Sequence, residues 1–129
     1  KGRRSWYNML RMGSTITTEA WDNVYKSNLD WNHAWGAAAA NVIARRLMGI
    51  RPLKPGFEEI AICPQPGGLS HARIVQPSPR GSIGVEWRTR SDGKLNLSVT
   101  VPANSTARLT LPHTGQVVTL PPGHHRISE

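Results

Sequence analysis

Cysteine is nearly absent from this 129-residue chain: Cys63 stands alone, so no intrachain disulfide can form and the small secreted disulfide scaffold is excluded. No run of eighteen apolar residues and no signal-peptide pattern occurs, so nothing in the sequence reads as a membrane span, and no membrane partner is expected. Charge of one sign is nowhere concentrated. The net charge is +8, yet residues 1–50 carry seven Lys and Arg against three acids, and residues 51–129 carry nine against five. Arg3-Arg4 and Arg45-Arg46 are the basic pairs, and Trp87 is the one aromatic beside Arg80, Arg88 and Arg90. That is too thin for a nucleic-acid platform, and a scattered solvated surface is expected instead. Cys63 has no His or Asp alongside it and reads as a small packed residue, not a nucleophile. His124-His125 are adjacent on a strand and would point to opposite faces, with no Cys or acidic cluster nearby, so no metal or other cofactor is expected.

Proline is also missing, but only from the first fifty residues, and all ten lie beyond Gly49. The first part holds four of the five Trp, both Tyr, all three Met and the run Ala37–Ala40. So sharp a break marks a domain boundary, with parts of different structural class. About fifty residues with two helices bury little surface alone, and the aromatics here need a partner. Trp6, Met9, Leu10 and Met12 fall at helical spacing, as if a helix were entered midway, and residue 1 is Lys. The sequence therefore predicts that more chain precedes it, as the missing part of one larger protein. Gly13 is placed to stop the helix. Asp30 or Asn32 is placed to cap a second, running to about Met48, with Trp35, Val42, Ile43, Leu47 and Met48 on its buried side and Gly49 closing it.

From Arg51 to Gly56, prolines at 52 and 55 forbid helix and predict a linker. Beyond it, short segments alternate apolar and polar residues between turns: 57–63, 71–76, 82–90, 94–101, 106–111, 116–120 and 124–127. Leu95, Leu97, Val99 and Val101 show period two most plainly, and Ser91-Asp92-Gly93 makes 82–90 and 94–101 a hairpin. The pattern is that of an antiparallel β-sandwich over residues 57–129.

Between these features lies the segment richest in chemistry. Glu19, Trp21, Trp31, His33 and Trp35 fall within two dozen residues, on and after a Thr-rich loop. A sugar ring offers hydroxyls to Glu and His and an apolar C–H face to an indole, so this combination is expected of a sugar-binding cleft. Asp22 and Asp30 read as surface or capping residues.

Three stretches in order resemble the C-terminal end of bacterial α-L-rhamnosidases of glycoside hydrolase family 78: Gly13-Ser14-Thr15-Ile16-Thr17-Thr18-Glu19-Ala20-Trp21, Asn32-His33-Ala34-Trp35-Gly36, and Met48-Gly49-Ile50-Arg51-Pro52-Leu53-Lys54-Pro55-Gly56-Phe57. Pro64-Gln65-Pro66, Pro79-Arg80-Gly81 and Val101–Ala107 extend the likeness into the sandwich. The chain departs from the pattern at Ile16, which replaces a Thr, and at Thr18, which replaces a Trp beside the Glu. The resemblance implies that residues 1–50 are the closing helices and base-bearing loop of an (α/α)6 barrel, that 51–56 is a linker, and that 57–129 is the terminal sandwich. It also implies inverting hydrolysis of terminal α-L-rhamnosides, with Glu19 as general base, His33 contacting sugar, Trp21, Trp31 and Trp35 as candidate pocket walls, and a rhamnose-containing glycan or glycoside as partner. An inverting enzyme needs a second, protonated carboxyl roughly 6.5–9.5 Å away. The family takes it from an earlier loop, so these residues alone are not expected to hydrolyse anything. The alternative is a non-catalytic module, in which the sandwich binds carbohydrate or buttresses the barrel.

Overall fold

The computed structural model describes residues 2–129, apart from the Trp35 side chain. The chain falls into two compact units, Lys1–Val42 and Ile43–Glu129.

The second unit is built of eight strands: β1 (Ile50–Pro52), β2 (Glu59–Ile62), β3 (His71–Ser78), β4 (Gly81–Thr89), β5 (Leu95–Val101), β6 (Thr106–Thr110), β7 (Val117–Leu120) and β8 (Gly123–Ser128). They form two four-stranded sheets, ordered β1-β2-β6-β7 and β3-β4-β5-β8. Alternation drives the arrangement, because period two puts every second side chain on one face. On β5 it buries Leu95, Leu97, Val99 and Val101, and on β4 Ile83, Val85 and Trp87. Ile50, Ile60, Ile62, Ala107, Leu109 and Leu120 of the other sheet join the same core. The β4–β5 hairpin closes where expected, with Gly93 N donating to Arg90 O at 3.0 Å.

Two features differ from expectation. The sandwich is not wholly antiparallel: β2 runs parallel to β6, with Glu59 opposite Thr106 and Ile62 opposite Leu109. Their intervening chain crosses to the other sheet and back, which is how a parallel pair must be joined. The expected linker also gives its first residues to a strand. β1 pairs antiparallel with β2, Ile50 opposite Ile62, and Pro52 is tolerated because β1 is an edge. Gly49 makes the approach possible. Its φ is +73, and a Cβ there would lie 2.0 Å from the Cys63 carbonyl oxygen, while Cys63 N donates to Gly49 O at 3.1 Å. The Cys63 thiol is free and half-buried.

A short turn at Pro55–Phe57 carries two consecutive positive φ values, Gly56 at 63 and Phe57 at 59. For Phe this is an uncommon conformation. Packing of its ring on the core and acceptance by Phe57 O of the buried Ser105 hydroxyl at 2.9 Å hold it there. Outside the core, His124 bonds Thr100 and Ser98 while His125 bonds Pro121 O, the two rings on opposite faces as the strand period requires.

In the first unit, α1 (Trp6–Arg11) is not entered midway. Ser5 is its N-cap, its hydroxyl accepting from Asn8 N at 3.2 Å, and Gly13 follows the C-cap Met12 at φ +82. The second helix departs further from expectation. Neither Asp30 nor Asn32 caps it: His33 precedes a 3-10 turn at Ala34–Ala37, followed by α2 (Ala38–Val42). In the other unit, Ile43–Leu47 is a π turn, in which Met48 N donates to Ile43 O at 2.9 Å. Turns of three and of more than four residues do not preserve the 3.6-residue stripe. Val42 and Ile43 are accordingly half exposed, whereas Met48 is buried.

Candidate functional site

Residues 14–33 contain no regular helix or strand, yet they are tied at several points. Thr17 and His33 bond twice, His33 N to Thr17 O at 2.8 Å and Thr17 Oγ1 to His33 O at 2.9 Å, and Glu19 N donates to Asp30 O at 2.9 Å. The two ends of the loop are thus laid side by side. Thr18, which is buried, donates its hydroxyl to Ala20 O at 2.6 Å and tightens the turn carrying Glu19. Asn8 of α1, also buried, donates its amide to Trp21 O at 3.0 Å and to Asp22 Oδ2 at 2.9 Å. Asp22 Oδ1 accepts from Val24 N, and these bonds hold its carboxyl below the usual carboxylate range, the Val24 bond contributing most. Asp22 therefore shapes the loop.

The outcome is a cleft of about 620 Å³, inside the range that holds small ligands. Glu19, Trp21 and His33 line it together. Trp31 does not and stands half exposed, and the Trp35 side chain lies outside the described residues. The sequence reading missed Trp6, which supplies the second indole. Its ring meets that of Trp21 edge-on, centroids 5.4 Å apart at 73°, and its Nε1 donates to Gly36 O at 3.0 Å. Helical spacing marked Trp6 only as an apolar position; the edge-to-face pair depends on where the loop brings Trp21.

Glu19 is held at both carboxylate oxygens. Oε1 forms an ion pair with Lys26 Nζ, and Oε2 accepts from Asp30 N at 3.2 Å. The Lys26 bond first, then the Asp30 bond, pull its carboxyl below the ordinary value, against a smaller upward push from burial. Glu19 is thus ionised at neutral pH, and a carboxylate has about four lone-pair sites, so two remain for a water or a hydroxyl. His33 Nδ1 lies 3.8 Å from Asp30 Oδ2. Among the described residues lining this cleft, Glu19 is the one carboxylate. One anionic acceptor, an imidazole and two indoles can grip a polyhydroxylated ring and accept a proton, but this set holds no second carboxyl to donate one.

Two family models match the chain in order: the bacterial alpha-L-rhamnosidase 6 hairpin glycosidase domain over residues 1–47, and the bacterial alpha-L-rhamnosidase C-terminal domain over residues 49–126. Among curated proteins, an alpha-L-rhamnosidase of Alteromonas sp. (strain LOR) is 32% identical over 132 residues, covering 95% of this chain and 13% of its own length. One from Streptomyces avermitilis is 32% identical over 117 residues, covering 84% and 11%. Among solved structures, native α-L-rhamnosidase from Aspergillus terreus superimposes with a TM-score of 0.88 at 25% identity, covering 97% of this chain and 16% of that one. The Streptomyces avermitilis enzyme complexed with L-rhamnose gives 0.81 at 26%, covering 98% and 15%. The chain therefore spans little more than a tenth of the length of the curated relatives it matches.

Proposed function

The chain belongs to the bacterial α-L-rhamnosidase family, and from that premise we propose that it serves in an inverting glycoside hydrolase acting on terminal α-L-rhamnosides, with Glu19 as the general base. In this reading the first fifty residues close an (α/α)6 barrel and carry its base, residues 57–129 are the terminal sandwich, and 51–56 connect them while lending an edge strand. The cleft that gathers Glu19, Trp21 and His33 carries the proposal. The presence of L-rhamnose in the matched Streptomyces avermitilis structure supports the choice of sugar.

In the reaction, a water attacks the anomeric carbon from the face opposite the leaving group while its proton passes to a free lone pair of Glu19. The glycosidic C–O bond breaks, and the leaving oxygen takes a proton from a carboxylic acid outside these residues. The ion pair and the Asp30 amide keep Glu19 ionised and fix its plane. Trp21 offers its ring to the apolar face of the sugar and His33 a nitrogen to a hydroxyl. Trp31 and Trp35 are the remaining candidates for contacts to a longer glycan.

The test is sugar release from an aryl α-L-rhamnoside by a protein of the relatives' length carrying these residues, beside Glu19→Gln, with the product anomer read by NMR. Inverted rhamnose from the parent, and a loss of about 10³-fold or more in the folded variant, are expected for removal of a general base. Equal activity of the two would remove Glu19 from the mechanism.

A further inference from the structure

We propose that Lys26 is a positioning residue for Glu19, holding the carboxylate in its working orientation through the ion pair at Oε1; the inference rests on the assignment of Glu19 as base.

Lys26 lies seven residues from Glu19 in an irregular loop, and the loop is built to present it. Tyr25 N donates to Asp22 O at 3.0 Å and Leu29 N to Lys26 O at 3.3 Å, so Lys26 sits between two closed turns. One end is fastened at Asp22 by Asn8, and the other by Leu29, which is 6% exposed. With the Asp30 amide on Oε2, the ammonium on Oε1 completes a two-point grip that fixes rotation about the last side-chain bond of Glu19. A carboxylate that must take a proton from one particular water gains from such fixation, since small misplacements in a reacting geometry are costly. The pair is part-solvated, and such pairs add little stability. Its effect therefore falls on geometry and ionisation.

Among the described residues, Lys26 and His33 are the cationic or titratable groups acting on Glu19, and Asp30 approaches by its amide while its carboxylate stands toward His33. From α1 the cleft receives Trp6 and Met9, and from the segment beyond His33 it receives Gly36 and Ala38, none of them charged. Removing the ammonium therefore takes away the main influence that favours ionised Glu19. Its carboxyl rises toward the ordinary value, and the acid limb of kcat/KM moves to higher pH.

The experiment compares Lys26→Met, Lys26→Gln and Lys26→Arg with the parent and with Glu19→Gln in the full-length enzyme that the proposed function requires, over pH 4–8. For both neutral variants, kcat should fall about tenfold or more with KM within about threefold, the signature of an interaction that acts on the reacting geometry. Their acid limbs should shift upward, and Lys26→Arg should recover most of both losses. Thermal melts identify any variant that fails to fold, and having two neutral substitutions keeps the comparison available. A parental kcat and acid limb in a folded neutral variant, with Glu19→Gln inactive, overturns the role of Lys26 alone. So does an Arg variant no better than Met. An active Glu19→Gln overturns both this inference and the base assignment beneath it.

Discussion

Gly49 and Gly56 allow two contributions to backbone stability to be separated by one matched pair of substitutions. Both have positive φ, 73 and 63, in the same unit. They differ in what surrounds them. A Cβ at Gly56 meets nothing within 4 Å, whereas at Gly49 it would sit 2.0, 2.2 and 2.5 Å from the Cys63 carbonyl oxygen, carbonyl carbon and amide nitrogen. These are backbone atoms, and they cannot move without opening the Gly49–Cys63 hydrogen bond and the β1–β2 pairing next to it. Gly56→Ala therefore reports the left-handed backbone term alone, about 1–2 kcal/mol less the few tenths that Ala recovers by stiffening the unfolded chain, or about 1 kcal/mol net. Gly49→Ala adds an overlap on rigid neighbours, for which about 3 kcal/mol is the usual upper range, giving about 4 kcal/mol in all. With about 4–8 °C per kcal/mol in a domain of this size, the expected losses of Tm are about 5 °C at Gly56 and about 20 °C at Gly49. Thermal and urea unfolding followed by far-UV circular dichroism measure both. If the two variants agree within about 0.5 kcal/mol, the close approach costs nothing and the reasoning is refuted.

Three further outcomes are expected. Trp87 is fully buried and its Nε1 finds no acceptor among the described residues. Trp87→Phe should stay within about 1 kcal/mol of the parent, because a void of about 40 Å³ at ~24 cal/mol per Å³ is offset by loss of an unsatisfied donor, while Trp87→Ala should cost about 3–5 kcal/mol in urea unfolding. The Glu129 carboxyl is pushed up by burial, but bonds from the His113 amide and ring and from Leu95 N outweigh that and hold it below the ordinary value. A depressed carboxylate contributes stability above its unfolded pKa and loses it as pH falls through the folded value. Glu129→Gln should thus flatten the acid arm of a Tm-against-pH curve, and parallel curves would count against the role. Asn8→Ala takes a donor from Trp21 O and from Asp22 Oδ2 and should cost about 1–3 kcal/mol; under the proposed function, in a protein of the relatives' length carrying these residues, it should raise KM for the aryl rhamnoside, and an unchanged KM would separate Trp21 from substrate binding.

The sandwich was largely legible in the sequence because alternation is local. The seven expected segments coincide with β2 to β8 within a few residues, and Leu95 to Val101 fall on the core face. β1 was not legible, since three residues ending in Pro carry no period and owe their conformation to β2, itself beyond the prolines. The parallel register of β2 on β6 is equally non-local. In the first unit, helical spacing found α1, but a uniform 3.6-residue period could not anticipate the sequence of 3-10, α and π turns after His33. The grouping of Glu19, Trp21 and His33 follows from residue chemistry once Thr17 and His33 pair, whereas Lys26 sits in a segment without period, and its reach to Glu19 is a matter of loop geometry alone.

The parallel pairing of β2 with β6 also bears on the order in which strand partners become available during synthesis. β2 is an interior strand whose second neighbour is made only after β3, β4 and β5 have emerged. Until Thr106–Thr110 is made, β2 has β1 as its one available sheet partner, and a two-stranded ribbon is marginal by itself, its open edge apt to pair with other chains. The β3-β4-β5 meander has sequential partners and can form at once. It is the natural first template, the surface on which the waiting ribbon can lay its isoleucines until β6 closes the sheet.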